Sequence, residues 1–303
     1  MKRLLFGLAL LVAGCEAVHE AEAPIIKHKV FYGSMEEESS RTFINEKIQL
    51  RWVNGDFVSI FEGTTRNQKY INLCETGENM AEFDLVKSGF GSGNDLNPLR
   101  NYSVYPYAAT NRISEEGVLT YTFPESQTYA ANSFGPEANP MVAVTADADD
   151  TNLRFRNVGA YLRVRLYGVE QTVGSIVVTS KGDEPVAGKA LITPTYGGEP
   201  TTTMSSTAKS VTLTCADPVT IGTTSEDATA FWIVLPAATY TQGLTITVNG
   251  YYGGSQSYEI NSSIQFVRNQ YKNMTRELTI ASSDTGMGVG GWGDGEETEG
   301  SAK

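Results

Sequence analysis

Leu162-Arg163-Val164-Arg165-Leu166-Tyr167 places apolar residues on one parity and arginine or tyrosine on the other. Successive side chains of a strand point to opposite faces, so this stretch reads as a strand with one buried face and one wet face. Short β-branched or aromatic runs recur at Ser175 to Thr179, Ser210 to Thr214, Phe231 to Leu235 and Leu244 to Val248. Turn-forming pairs bound them, namely Gly182-Asp183, Gly197-Gly198, Asn249-Gly250 and Gly253-Gly254. The N-terminal half repeats the style in Lys47 to Val53, Phe57 to Phe61, Tyr102 to Tyr105 and Val118 to Phe123. Asn54-Gly55 lies between the first two of these, and both residues accept positive φ, so a hairpin is expected there. No segment carries three turns of helical periodicity. Strands at this spacing predict an all-β chain of antiparallel β-sandwiches.

An internal echo divides the chain. Val104-Tyr105-Pro106-Tyr107-Ala108-Ala109-Thr110 is followed by Gly117-Val118-Leu119-Thr120-Tyr121-Thr122-Phe123. Later, Val234-Leu235-Pro236-Ala237-Ala238-Thr239 is followed by Gly243-Leu244-Thr245-Ile246-Thr247-Val248. In each copy a strand ends at a proline, which has no N–H for a ladder, and the next begins after glycine. Two sandwich domains are therefore expected, residues 24–150 and 151–281, with the acidic run Asp147-Ala148-Asp149-Asp150 as their junction. That run lacks the glycine and distal glutamate of a calcium-binding loop, so no metal is expected on it. Residues 282–303 are rich in glycine and acid and read as a flexible tail.

Composition narrows the function classes. Of 303 residues, 23 are Lys or Arg and 35 are Asp or Glu, a formal charge of −12. A chain this acidic lacks the basic face that phosphate contacts require, so a nucleic-acid partner is not expected. Its 40% hydrophobic content is too high for a disordered chain. Three cysteines make neither a disulfide scaffold nor a four-ligand zinc site, and Cys74 and Cys215 read as two buried free thiols. His19 and His28 both precede Lys29, which leaves no imidazole for a Ser-His-Asp triad in the body of the chain. No G-x-S-x-G elbow occurs, and Gly89-Phe90-Gly91-Ser92-Gly93 has neither Rossmann spacing nor a P-loop lysine. No enzyme activity and no cofactor are expected. Tyr251-Tyr252, beside Gly253-Gly254, offers a stacking surface for sugar rings. Strict alternation at a hairpin end would instead turn one tyrosine in and one out, and that is the expected arrangement.

The first residues carry an address. Lys2 and Arg3 precede an apolar core, Leu4 to Val12, too short to span a bilayer and so a signal peptide over residues 1–14. Leu11-Val12-Ala13-Gly14-Cys15 resembles a bacterial lipobox, which makes Cys15 the lipidation site and the outer membrane a partner through its acyl chains. Cleavage before Cys15 leaves 21 basic and 35 acidic residues, a charge of 21 − 35 = −14. Residues 15–23 then form an acidic tether, similar to the surface-export signals of Gram-negative lipoproteins.

Several segments together resemble the fimbrillin family, the type V pilin-like lipoproteins of Bacteroides-type bacteria. They include Arg41-Thr42, Trp52-Val53-Asn54-Gly55-Asp56-Phe57-Val58-Ser59-Ile60-Phe61, Val104-Tyr105-Pro106-Tyr107 and Pro124-Glu125-Ser126-Gln127-Thr128-Tyr129. Pro140-Met141-Val142-Ala143, Phe155-Arg156-Asn157-Val158-Gly159-Ala160, Ile176-Val177-Val178-Thr179-Ser180 and Ala187-Gly188 follow in order. The resemblance implies two tandem transthyretin-like sandwiches, a place on the cell surface in a fimbrium, and a structural or adhesive role. It also implies head-to-tail partners of the same kind, the possibility of a host or bacterial surface ligand, and a first strand removed by an arginine-specific protease. A strand of the next subunit would then fill the gap by β-augmentation.

On this chain the removable strand maps to about Ile25 to Met35. The polar run Glu36-Glu37-Glu38-Ser39-Ser40 offers an accessible backbone, and the cut falls between Arg41 and Thr42. Arg51 is the poorer site, because the pattern places it in a strand beside Trp52. The C-terminus departs from a stalk subunit. Met287 to Trp292 is interrupted by glycines, with Gly286, Gly288, Gly290 and Gly291 in and beside it, which makes a poor groove filler. A tip, accessory or anchor subunit is therefore favoured, or a donor drawn from Glu277 to Ile280. The other reading is a lipid-anchored surface protein that binds glycans through Tyr251 and Tyr252.

Overall fold

Alternating burial runs through the strands as the hydrophobic pattern demands. The computed structural model describes residues 29–36, 50–87 and 93–280. The first half supplies β1 (Phe31–Met35), β2 (Phe57–Glu62), β3 (Gln68–Asn72), β4 (Met80–Lys87), β5 (Asn101–Tyr105), β6 (Arg112–Ile113), β7 (Leu119–Phe123), β8 (Ser126–Ala130), β9 (Ser133–Phe134) and β10 (Met141–Val144). Next come β11 (Asn152–Asn157), β12 (Gly159–Tyr167), β13 (Thr172–Ser180), β14 (Gly188–Thr193), β15 (Thr201–Met204) and β16 (Ser210–Thr220). The chain closes with β17 (Thr229–Pro236), β18 (Thr239–Tyr240), β19 (Leu244–Gly250), β20 (Ser255–Ile260), β21 (Ile264–Gln265) and β22 (Tyr271–Glu277). The described residues are all-β, with no helix among them. In β12, Leu162, Val164 and Leu166 are buried while Arg163, Arg165 and Tyr167 are half-exposed, as their alternation predicts.

Seven strands close into a barrel in the order β1-β11-β10-β5-β2-β3-β4, with β4 returning to β1. Its interior holds Phe31, Trp52, Val58, Ile60, Tyr70, Phe83, Leu153 and Phe155, all buried. Trp52 meets Phe83, Phe155 and Tyr105 edge-on at 5.1, 5.2 and 5.5 Å between ring centroids. Aromatic pairs prefer this T-shaped geometry, so the rings make one locked cluster.

A second core lies between two open sheets. Leu162, Val164 and Leu166 of β12, with Phe231, Ile233 and Leu235 of β17, belong to the three-stranded sheet β17-β12-β22. They pack with Ile176, Val178, Val211, Leu213, Leu244, Ile246 and Val248 of the six-stranded sheet β20-β19-β13-β16-β8-β9. A third cluster joins the two halves. Leu119, Tyr121 and Phe123 of β7, with Ala190 and Ile192 of β14, pack with Val104, Val142, Val144, Tyr161 and Val234.

Three expectations change. Sheet membership does not break at residue 150, because β7 pairs with β14, β8 pairs with β16, and β11 completes the first barrel. Each strand goes where its apolar face finds cover. Asp147 to Asp150 lies in the loop between the paired strands β10 and β11, rather than in a linker. The Asp147 carboxylate accepts the N–H groups of Asp149 and Asp150, each at 2.9 Å. Asn54-Gly55 does turn the chain, with Gly55 at φ +86°. The described residues before it, Leu50 to Val53, nevertheless form no ladder with β2, since Trp52 bridges Glu78 and delivers its indole to the barrel interior. The internal echo survives in another form. Its two strands enter different sheets in each copy: β5 and β7 in the first, β17 and β19 in the second.

If the aromatic cluster is one locked unit, Phe155→Ala will cost about 3–5 kcal/mol of unfolding free energy. Chemical denaturation measures this, and a loss below about 1 kcal/mol would show that the rings relax independently.

Candidate functional site: the slot held by β1

The first strand is thin for the work it does. Five residues, Phe31-Tyr32-Gly33-Ser34-Met35, pair antiparallel with β4 and parallel with β11. Tyr32 pairs with Asn152 and Met35 with Phe155 on one side, while Phe31 pairs with Phe83 and Ser34 with Met80 on the other. Phe31, Gly33 and Met35 face the barrel interior, and Tyr32 is exposed. No loop joins β1 to β11 directly, and the strand lies at the start of the described chain, ahead of the segment containing Arg41. Without it, β4 and β11 would become two facing edges about 10 Å apart, the width of one missing strand.

Just past β1, Glu36 closes the contact. Its carboxylate accepts from Arg268 Nη1 at 2.6 Å, Arg268 Nη2 at 2.9 Å, Arg156 Nη1 at 2.9 Å and the Asn157 N–H at 3.1 Å. Only 7% of the Glu36 side chain and 13% of the Arg268 side chain are exposed. Arg268 Nη1 also donates to the Asn157 carbonyl at 2.9 Å, and its Nη2 lies 3.0 Å from the exposed Glu199. Burial pushes the Glu36 carboxyl up, but hydrogen bonds from Arg268 and Arg156, the Arg268 charge and the Asn157 N–H outweigh it. The group is held below the ordinary carboxylate value of 4.5. Its sequence neighbours, Glu37-Glu38-Ser39-Ser40, make a polar run. No sequence signal links residue 36 to Arg268, 232 positions away, so the partner emerges only from the fold.

The other sequence candidates fare differently. Cys15, Arg41, Thr42 and the tail from Ser282 onward lie outside the described residues. Arg51 is exposed and outside any strand, so the reason for setting it aside as a cleavage point does not hold. Of the suggested removable strand, Phe31 to Met35 is a strand and residues 25–28 lie outside the described part. Glu277 to Ile280 is already engaged: Glu277 pairs with Tyr167, and Leu278 is fully buried. Tyr251 and Tyr252 do not divide into one inward and one outward ring. Both are exposed, at 44% and 75%, because Gly253 and Gly254 at positive φ turn the chain immediately after them. Their rings stand at 80° with centroids 5.3 Å apart, so they present an edge and a face rather than one flat platform. Both described cysteines are free, Cys215 buried and Cys74 only half-buried. Burial pushes the Cys215 thiol up to about 11. Among the described residues, no three His, Cys, Asp or Glu side chains gather closely enough to hold a metal ion.

Known structures give a context for this arrangement. A candidate cell-adhesion protein from Bacteroides ovatus aligns over 82% of this chain and 91% of its own, at 13% identity and TM-score 0.47. One from Bacteroides uniformis aligns over 75% and 88%, at 17% identity and TM-score 0.44. The tip fimbrial protein Mfa3 from Porphyromonas gingivalis aligns over 74% and 89%, at 9% identity and TM-score 0.31. The structural neighbours are fimbrial and cell-adhesion proteins. No protein-family model and no curated relative matches the chain. At these identities and TM-scores, what those proteins do stays with them.

A depressed folded-state carboxyl stabilises the fold above its unfolded value and loses that contribution as pH falls. Glu36→Gln will therefore cost about 3 kcal/mol at pH 7, the scale for breaking a buried ion pair. The gap between wild type and variant will shrink as the pH drops below 4.5. Thermal or urea unfolding at pH 7 and pH 3.5 checks both the size and the sign. A gap unchanged by pH would remove the clamp's electrostatic role.

Proposed function

We propose that this chain is a fimbrial subunit, exported to the cell surface as a lipoprotein on Cys15 and assembled by replacement of β1. The observation that carries the reading is the position of that strand. It closes the barrel as a separable staple, tied to β4 and β11 by its backbone and to Arg268 by Glu36. It is also followed by an arginine, Arg41, within ten residues of its end. Proteolysis between Arg41 and Thr42 would cut the staple from the rest of the chain. The vacated slot would hold unpaired N–H and C=O groups on two edges, an apolar interior and two cations. Such an edge pair is a template for a strand from another subunit. A head-to-tail contact of this kind propagates instead of closing on itself. The tandem transthyretin-like organisation and the assignment as tip, accessory or anchor rather than stalk belong to the same proposal. So does the outer-membrane location.

The role is structural or adhesive rather than enzymatic. Processing at Arg41 also removes both histidines, so the working subunit would contain no imidazole at all. A second reading keeps the lipidated chain uncut and lets it bind glycans. The two outward tyrosines, Tyr251 and Tyr252, favour it. A glycan array probed with wild type and Tyr252→Ala separates the two, since loss of glycan signal in the variant belongs to this second reading alone.

Mass spectrometry of the mature N-terminus tests the main proposal in native outer-membrane and sheared-surface fractions. A chain starting at Thr42 in high-mass sheared material is the expected result, and Arg41→Ala should abolish it. A start at Trp52 would move the cut to the exposed Arg51 and leave strand replacement intact. Acylated Cys15 at the start of every chain, with no cut form in the sheared fraction, would overturn the proposal.

A further inference from the structure

The slot is selective about what it holds, and three features of its wall set the terms. At the centre, a Cβ on Gly33 would meet Phe83 Cε2 at 2.5 Å and Phe155 Cε2 at 3.0 Å. Neither ring can retreat cheaply. Phe83 and Phe155 are essentially fully buried, and both pack edge-on against Trp52. Real side chains almost never tolerate such a contact, so the middle position takes glycine. On either side of it the interior is apolar and takes a large side chain. Phe31 is fully buried and edge-on to Tyr70 at 5.5 Å, and Met35 is almost fully buried two residues beyond the glycine. Past the end of the strand, Arg268, Arg156 and the Asn157 N–H converge on a single carboxylate.

We propose that the slot accepts one class of occupant: a strand reading large apolar, any, glycine, any, large apolar, acid, laid parallel to β11. The proposal rests on the strand-replacement reading and adds the chemistry of the partner. Within the chain, Phe31-Tyr32-Gly33-Ser34-Met35-Glu36 is the one stretch that carries all four features at this spacing. Val289-Gly290-Gly291-Trp292-Gly293-Asp294 matches the first apolar residue, the glycine and the acid, but puts glycine where Met35 sits. A second copy cut after Arg41 has lost that stretch and carries no other match, so the replacing strand belongs to a different polypeptide rather than to a cut second copy. Charge supports the acid in the pattern. A chain of net charge −12 keeps two arginines aimed at one carboxylate, and they remain when Glu36 leaves.

The test uses the full chain after cutting with an arginine-specific protease, warmed with excess labelled peptide. Four peptides are compared: residues 29–36, the same with Gly33→Val, the same with Glu36→Gln, and residues 287–296. Because the substitutions are in the peptide, the receiving barrel is unaltered. The native peptide should exchange into the slot, with the Gly33→Val and Glu36→Gln peptides each at least about tenfold weaker. The 287–296 peptide should also be at least about tenfold weaker, from the apolar volume it lacks. Equal affinity for the native and Gly33→Val peptides would overturn the selectivity while leaving strand replacement standing. Native-like affinity for 287–296 would overturn the assignment to a different polypeptide. No exchange by any peptide would overturn strand replacement and this proposal together.

Discussion

One carboxylate ties the start of the described chain to its far end. Glu36 sits at the close of a five-residue strand, and its partners are Arg156, Asn157 and Arg268. An ion pair this deep gains little over a well-packed apolar contact, because both charges are stripped of water. Breaking it is another matter, since a buried guanidinium is left with the exposed Glu199 and one carbonyl. The barrel is in the same position. With β1 in place every edge is paired, and without it two edges and an aromatic interior face water. The structure is therefore indifferent neither to losing the strand nor to leaving the slot empty. Holding the strand is cheap, and vacating its slot is costly.

Period-two patterning made most of the strands legible. Leu162 to Tyr167, Ser175 to Thr179, Ser210 to Thr214 and Leu244 to Val248 all lie within strands, because local alternation is a property of each strand alone. Which strands share a sheet is not local. β7 and β8 read as part of the first half, yet they complete sheets with β14 and β16, whose apolar faces cover theirs. Trp52 looked like a strand residue and is a plug, since filling the barrel outweighs extending a ladder. The candidate site was half visible. The extended run before Met35 could be read, whereas the clamp on Glu36 could not, because Glu36-Glu37-Glu38 has the composition of any solvated loop.

Glycine shows the same gap between composition and position. In a strand it is ordinarily a weakness, lacking a side chain to pack and flexible when unfolded. On that ground the glycines around Met287 to Trp292 counted against the tail as a groove filler. At the centre of the slot the argument reverses, because the edges of Phe83 and Phe155 leave no space for a Cβ at position 33. What disfavours the tail is not the number of its glycines. It is that one of them falls where the wall offers room for a side chain the size of Met35.

Direction follows from the same geometry. The backbone edges of β4 and β11 run in opposite senses relative to β1, so hydrogen bonding alone would accept a strand either way. The steric limit at Gly33 is also close to symmetric, with apolar room two residues to each side. The two ends differ in charge: the arginine pair lies beyond Met35, whereas before Phe31 the Lys29 ammonium donates to the Ala148 carbonyl at 2.7 Å. An incoming strand laid antiparallel to β11 would carry its acid to the wrong end and leave Arg268 buried without its carboxylate. For β1 itself, van der Waals contact limits the middle of the slot and Coulomb attraction holds the end beyond Met35.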